Sequence, residues 1–255
     1  DMKIFILCGG FGTRLDYQGK LMAKTMIKIG REPILIHIIK NFSHQGFNEF
    51  VLCAGHKIET IKNFFKRKNV KIKINEKKHL SVVTVIDKKK ILIDIIDTGK
   101  NTGTGGRIRK AFNKMSLDED FLATYGDGLS NVPIKKLIKY HYDNKATLTL
   151  TAVRPKQRYG VLKISRGKVN IFDNSKKKSD VYINGGFFVV SKTVVKLIKN
   201  SNMYLEKEPF NNIIKKDKLY SYKHHGFWAS MDTLKDKNDL DQLTKNNNKL
   251  PWKVK

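Results

Sequence analysis

A short apolar stretch, residues 2–8, runs directly into Gly9-Gly10-Phe11-Gly12-Thr13-Arg14. These residue types in this order suit the binding of a polyphosphate. A strand end brings several backbone N–H groups to one point, glycine allows close approach and tolerates positive φ, and Arg14 supplies a fixed charge. An ordinary tight turn is the plainer alternative. Two other phosphate loops can be tested on spacing. Six residues separate Gly12 from Gly19-Lys20 and Leu21 follows, which excludes a Walker A loop. A dinucleotide fingerprint needs a third glycine where this chain has Arg14 or Leu15, and no acidic residue closes the first βαβ unit. A second chemical position is Asp127, set between Gly126 and Gly128 after the apolar run 121–125. A strand end of that kind presents a carboxylate at the ligand edge of a sheet. A turn aspartate is the alternative there.

The elements that must hold these groups alternate through the first half. Strands are expected over 2–8, 49–54, 71–74, 80–87, 91–97, 121–125 and 147–153. Helices are expected over 33–45, 57–66, 104–114 and 133–143, two of them opened by Pro33 and Pro133. The second half is richer in strands, at 160–165, 168–172, 182–191 and 219–223, with helices at 192–199, 208–216 and 233–245. Alternation followed by a β-rich continuation predicts an α/β fold: a Rossmann-like mixed sheet flanked by helices, with a smaller β-rich lobe. The expected organisation is a single domain, with halves at 1–130 and 131–245 and a surface tail at 246–255 that Trp252 anchors.

Composition narrows the function classes. With 255 residues, 40% of them apolar, the chain can bury a sizeable core. The formal charge of +28 invites a nucleic-acid reading, but only eight of the 51 basic residues are Arg and the other 43 are Lys, spread along the whole chain. Nucleic-acid readers favour Arg for bidentate contacts. No nucleic-acid partner is therefore expected, while long-range attraction for anionic substrates is. No apolar run is long enough for a membrane span. Residues 2–8 are too short for a signal peptide, so a cytoplasmic protein with no membrane partner is expected. Cys8 and Cys53, each at a strand end, read as buried free thiols.

Several segments together carry a family resemblance. Gly9-Gly10-Phe11-Gly12-Thr13-Arg14-Leu15, Met26-Ile27-Lys28-Ile29-Gly30, Pro33-Ile34-Leu35, Tyr125-Gly126-Asp127-Gly128, Ile183-Asn184-Gly185-Gly186-Phe187-Phe188 and Phe227-Trp228 followed by Met231-Asp232-Thr233 resemble, in order and over nearly the whole chain, the sugar-phosphate nucleotidyltransferases. Asp97-Thr98-Gly99 with Thr104-Gly105-Gly106-Arg107 is similar to the glucose-1-phosphate cytidylyltransferase branch. The resemblance implies transfer of a cytidylyl group from CTP to a phosphorylated acceptor, by default glucose 1-phosphate. The products are a CDP-linked compound for surface-polysaccharide or capsule synthesis and pyrophosphate. It implies Mg²⁺ on Asp127 and Asp232, and Arg14 and Lys24 as the catalytic cations on the triphosphate. The nucleotide seat implied is Leu7, Gly9, Gly10, Gly12, Thr13, Arg14, Lys24, Thr104, Gly105, Gly106, Arg107 and Asp127. The acceptor pocket implied is Tyr159, Gly160, Asn174, Asn184, Gly185 and Trp228, in a half that binds the acceptor. A homo-oligomer is the assembly it favours.

Plainer structural roles stand beside several of these. Asp232 could serve as a helix N-cap, Thr104-Gly105-Gly106 as a helix start, Lys24 as a solvated lysine, and Gly185-Gly186 as a β-bulge. The chain also departs from the family pattern. Of the family's Lys-Pro-Lys-Pro segment only the second lysine survives, as Lys24; Met22, Ala23 and Thr25 take the other places. The family's Phe-x-Glu-Lys-Pro reads Phe172-Asp173-Asn174-Ser175-Lys176 here, so Asn174 replaces the glutamate and Ser175 the lysine. A lost phosphate-binding cation is worth roughly 1.5–3 kcal/mol. This opens a second expectation, the same CTP chemistry on L-glutamine phosphate or another sugar phosphate. A third is a non-catalytic nucleotide or polyanion binder, against which Asp127 and Asp232 both argue.

Overall fold

The computed structural model describes residues 2–10, 21–66, 71–74, 79–155, 161–165, 168–173, 181–245 and 250–254. Of the expected site residues, Gly12, Thr13, Arg14, Tyr159, Gly160 and Asn174 lie outside these ranges. Within them the centre is a nine-stranded mixed sheet in the order β14-β10-β13-β8-β1-β4-β7-β6-β5, where the strands are β1 (Ile4–Leu7), β4 (Glu49–Ala54), β5 (Lys71–Ile74), β6 (Leu80–Ile86), β7 (Lys89–Asp97), β8 (Phe121–Tyr125), β10 (Leu148–Val153), β13 (Ile183–Val190) and β14 (Leu219–His224). The remaining strands form three short ribbons: β2 (Lys28–Ile29) with β3 (Glu32–Pro33), β9 (Gly128–Ser130) with β15 (Trp228–Ser230), and β11 (Val161–Ser165) with β12 (Lys168–Asp173).

The core explains why β1 reads as an unbroken apolar run. Ile4 and Ile6 point into one cluster and Phe5 and Leu7 into another, so both faces of the strand are buried. The first cluster packs under helices α1 (Ile34–His44), α2 (Ile58–Lys66), α4 (Ile134–Asp143) and α6 (Leu234–Lys245). The second packs under α3 (Thr104–Met115) and α5 (Glu208–Ile214). Helices thus cover both faces of a mixed sheet, the α/β arrangement expected. Of the four strands expected in the β-rich second half, β13 and β14 join this main sheet, while β11 and β12 pair as a hairpin outside it. The helix expected at 192–199 is a 3₁₀ segment, Lys192–Leu197. Trp252 is buried against His37 and Phe227, which anchors the tail. Cys8 and Cys53 are buried free thiols. Among the described residues no helix is long and apolar enough to cross a membrane.

The topology itself creates a crevice. From β1 the chain moves to β4 and β7 on one side, then returns to place β8 on the other side of β1, parallel to it. Ligands of open α/β sheets bind outside the carboxyl ends of strands at such a reversal. The carboxyl ends here are Leu7 and Tyr125, followed by the glycine loop and by Asp127.

Candidate active site

A cleft of about 860 Å³ opens at that strand reversal. Its floor is Leu7, Cys8, Gly9 and Gly10 after β1, and Tyr125, Gly126, Asp127 and Gly128 after β8. Residues 100–104 at the entry to α3 form one wall; Asn184, Gly185 and Trp228 belong to another.

Asp127 and Asp232 are far apart in sequence and meet through a very short ribbon. β9 and β15 pair antiparallel, with Gly128 opposite Ser230, and the Met231 N–H donates to the Asp127 carbonyl at 2.9 Å. Both carboxylates then converge on one cation. The Lys24 ammonium donates to Asp127 Oδ2 at 2.5 Å and to Asp232 Oδ1 at 2.9 Å. Lys24 begins a 3₁₀ turn whose next two residues, Thr25 and Met26, are buried, and the Ala23 N–H is tied to Thr60 Oγ1 at 3.1 Å. A solvated lysine has no such anchors. Burial alone lowers the affinity of Lys24 for its proton, but the carboxylates of Asp127 and Asp232 outweigh it and raise the pKa above the usual ammonium value.

Asp232 is not the N-cap of α6. Thr233 takes that place: Asp236 Oδ2 accepts from the Thr233 N–H at 2.9 Å, and the Asp236 N–H donates back to Thr233 Oγ1 at 3.2 Å. This reciprocal pair is a capping box, with Asp in the place of the usual Glu. Asp232 is instead steadied by Ser230, whose hydroxyl donates to Asp232 Oδ2 at 2.9 Å.

Arg107, expected at the nucleotide seat, lines the cleft and also holds its loops together. It is only 5% exposed. Its Nη1 donates to Thr98 Oγ1 at 2.7 Å and to the Gly99 carbonyl at 2.8 Å, and its Nη2 to the carbonyls of Gly9 and Lys100 at 3.0 Å each. The guanidinium therefore ties the floor after β1 to the wall after β7. Glycine at position 9 is what lets it pass, because a Cβ there would lie 2.0 Å from the guanidinium carbon. Thr104 opens α3 and lines the cleft, while Gly105 and Gly106 do not. They are small because α3 presses on residues 201–205: a Cβ on Gly106 would meet the Ser201 carbonyl oxygen at 2.0 Å.

A family model described as "Nucleotidyl transferase" matches residues 3–241. The chain belongs to this family. It is 38% identical to a glucose-1-phosphate cytidylyltransferase of Salmonella typhi, covering 99% of each chain. It is 37% identical to a probable glucose-1-phosphate cytidylyltransferase of Bacillus subtilis, covering 99% of this chain and 100% of the relative. Among solved structures, HddC from Yersinia pseudotuberculosis complexed with GMP-PN superposes with a TM-score of 0.69 at 21% identity, over 95% of this chain and 99% of that one. That likeness shows the fold.

The nucleotidyl transferase cleft brings together Leu7, Gly9, Gly10, Lys24, Thr104, Arg107, Asp127, Asn184, Gly185, Trp228 and Asp232 of the expected residues. On its far wall the Trp228 indole N–H donates to the Gly185 carbonyl at 2.8 Å. Gly185 and Gly186 also form the bulge expected as their alternative. The register between β10 and β13 slips there, and Gly186 has φ +80° with the Tyr125 ring where a side chain would stand. Sequence reasoning assigned no role to Tyr125 or Glu206. The Tyr125 hydroxyl donates to Glu206 and accepts from Asn184 Nδ2 at 3.0 Å. Burial first, and then the Glu206 charge, push the Tyr125 pKa up, so the phenol keeps its proton.

Proposed function

We propose that this nucleotidyl transferase joins CTP to a phosphorylated acceptor, by default glucose 1-phosphate, to give a CDP-linked product and pyrophosphate. The observation that carries this reading is 37–38% identity, end to end, to glucose-1-phosphate cytidylyltransferases. An acceptor phosphate oxygen forms a bond to the α-phosphorus of CTP while the bond to the pyrophosphate oxygen breaks. No protein nucleophile is needed, so catalysis comes from alignment and from neutralising charge.

The cleft supplies those means. Gly9 and Gly10 bring backbone to the triphosphate, Arg107 holds the Gly9 carbonyl from behind, and the Lys24 ammonium supplies positive charge at the strand ends. Asp127 and Asp232 fit a metal site, since both carboxylates already reach one cation within 2.9 Å. Mg²⁺ usually takes only one or two carboxylates and completes its shell with water and substrate phosphates. Bound there, it would polarise phosphoryl oxygens as a Lewis acid. Lys24 would then turn its charge to the phosphates.

A second acceptor reading is favoured by a specific sequence feature, Asn174 and Ser175 in place of the family's glutamate and lysine. It keeps CTP and changes the acceptor to L-glutamine phosphate or another sugar phosphate. Pyrophosphate release across a panel of phosphorylated acceptors, with CTP, UTP and dTTP in turn, tests both. CTP with glucose 1-phosphate is the expected pair, and Asp127→Ala is expected to abolish its turnover. Turnover confined to a non-sugar acceptor would move the assignment to the second reading. Equal rates with UTP would remove the base assignment, and an unaffected Asp127→Ala rate would remove the metal role.

A further inference from the structure

Glu206 does not itself line the cleft, yet it touches two side chains that do. Its Oε2 accepts the Thr104 hydroxyl at 2.5 Å, and its Oε1 accepts the Tyr125 hydroxyl. A carboxylate offers acceptors only, so both hydroxyl protons must point at Glu206. Each hydroxyl oxygen also receives one donor: the Leu205 N–H on Thr104 at 2.9 Å, and Asn184 Nδ2 on Tyr125 at 3.0 Å. The other end of the Asn184 amide accepts the Gly186 N–H at 2.9 Å. The amide is thereby fixed with its nitrogen toward the tyrosine, and one of its N–H donors is left for a ligand.

We propose that Glu206 is a positioning residue that sets the hydrogen-bond polarity of both walls of the cleft. By holding the two hydroxyl protons, it makes Thr104 an acceptor on the nucleotide side. Through Tyr125 it makes Asn184 a donor on the side of the second substrate. The partner that suits this donor is an anionic or hydroxylated oxygen of the phosphorylated acceptor. This inference rests on the reading of the cleft as a site for a nucleotide and a phosphorylated acceptor.

The test is steady-state kinetics of the full-length enzyme carrying Glu206→Gln, with CTP saturating and the acceptor varied. Glutamine keeps the shape but carries two N–H donors, so it cannot take both hydroxyl protons in the same way. The acceptor KM is expected to rise about ten-fold, the effect of one misdirected hydrogen bond, with kcat largely unchanged. Tyr125→Phe, which cuts the link to Asn184, is expected to give a similar rise. The double variant is expected to add little to either, because the two residues act in one chain of bonds. Wild-type constants in Glu206→Gln overturn the proposal, as does additivity of the two substitutions. A parallel loss of kcat and of thermal midpoint overturns it in favour of a purely structural role. If the wild-type enzyme turns over no acceptor with CTP, the functional reading fails and takes this inference with it. Wild-type turnover with an unchanged variant removes Glu206 alone.

Discussion

Between Asp127 and Asp232 the Lys24 ammonium sits at 2.5 and 2.9 Å, in the cleft but mostly withdrawn from water. Two carboxylates on one ammonium leave net negative charge there, which a further cation would offset. Lys24→Met leaves the carboxylates facing each other without that cation. It is expected to lower kcat/KM about 100-fold, in line with the loss of one preorganised electrostatic group. Mg²⁺ is also expected to raise the thermal midpoint of Lys24→Met more than that of the wild type, because no ammonium competes for the carboxylates. An equal Mg²⁺ effect on both, read by thermal melts, would contradict the shared site. Residue types at strand ends made Asp127 legible in the sequence, since glycines on both sides of a carboxylate after an apolar run have a physical meaning. Glu206 carried no such signal. Its partners stand 102 and 81 residues away, and nothing local around it distinguishes it from a surface acid.

At the scale of elements, the entry to α3 shows where local reading stopped short. Thr104-Gly105-Gly106-Arg107 suggests a nucleotide-binding segment, and Thr104 does line the cleft. The glycines and the arginine also answer to packing. Gly106 faces the Ser201 carbonyl, and Arg107 crosses beneath Gly9 to hold two loops. These reasons are tertiary and leave no periodic trace. Gly106→Ala separates two opposing effects. Alanine gains up to about 1 kcal/mol within a helix. A contact of 2.0 Å with a backbone oxygen far exceeds ordinary crowding, and overpacking typically costs about 1–3 kcal/mol. Net destabilisation is therefore expected in urea melts, and a variant as stable as the wild type would contradict the packing. The β9–β15 ribbon escaped notice for another reason. Strands of three residues are too short for an alternating pattern to register, although this pair is what aligns Asp127 with Asp232.

For the whole molecule, order along the chain was more legible than assembly in space. The apolar runs marked the main strands because central strands are buried on both faces. The mixed sheet needed long-range pairing to see, and it absorbed β13 and β14, two of the four strands that had read as the smaller β-rich lobe. The charge of +28 describes a field attractive to polyanionic substrates but identifies none. The central claim concerns which phosphorus is attacked. Incubation with Mg²⁺, glucose 1-phosphate and CTP labelled at the α-phosphate, followed by separation of products, tests it most directly. The account predicts label in the CDP-linked product and none in pyrophosphate. Label in pyrophosphate, or no transfer to any phosphorylated acceptor, would contradict it.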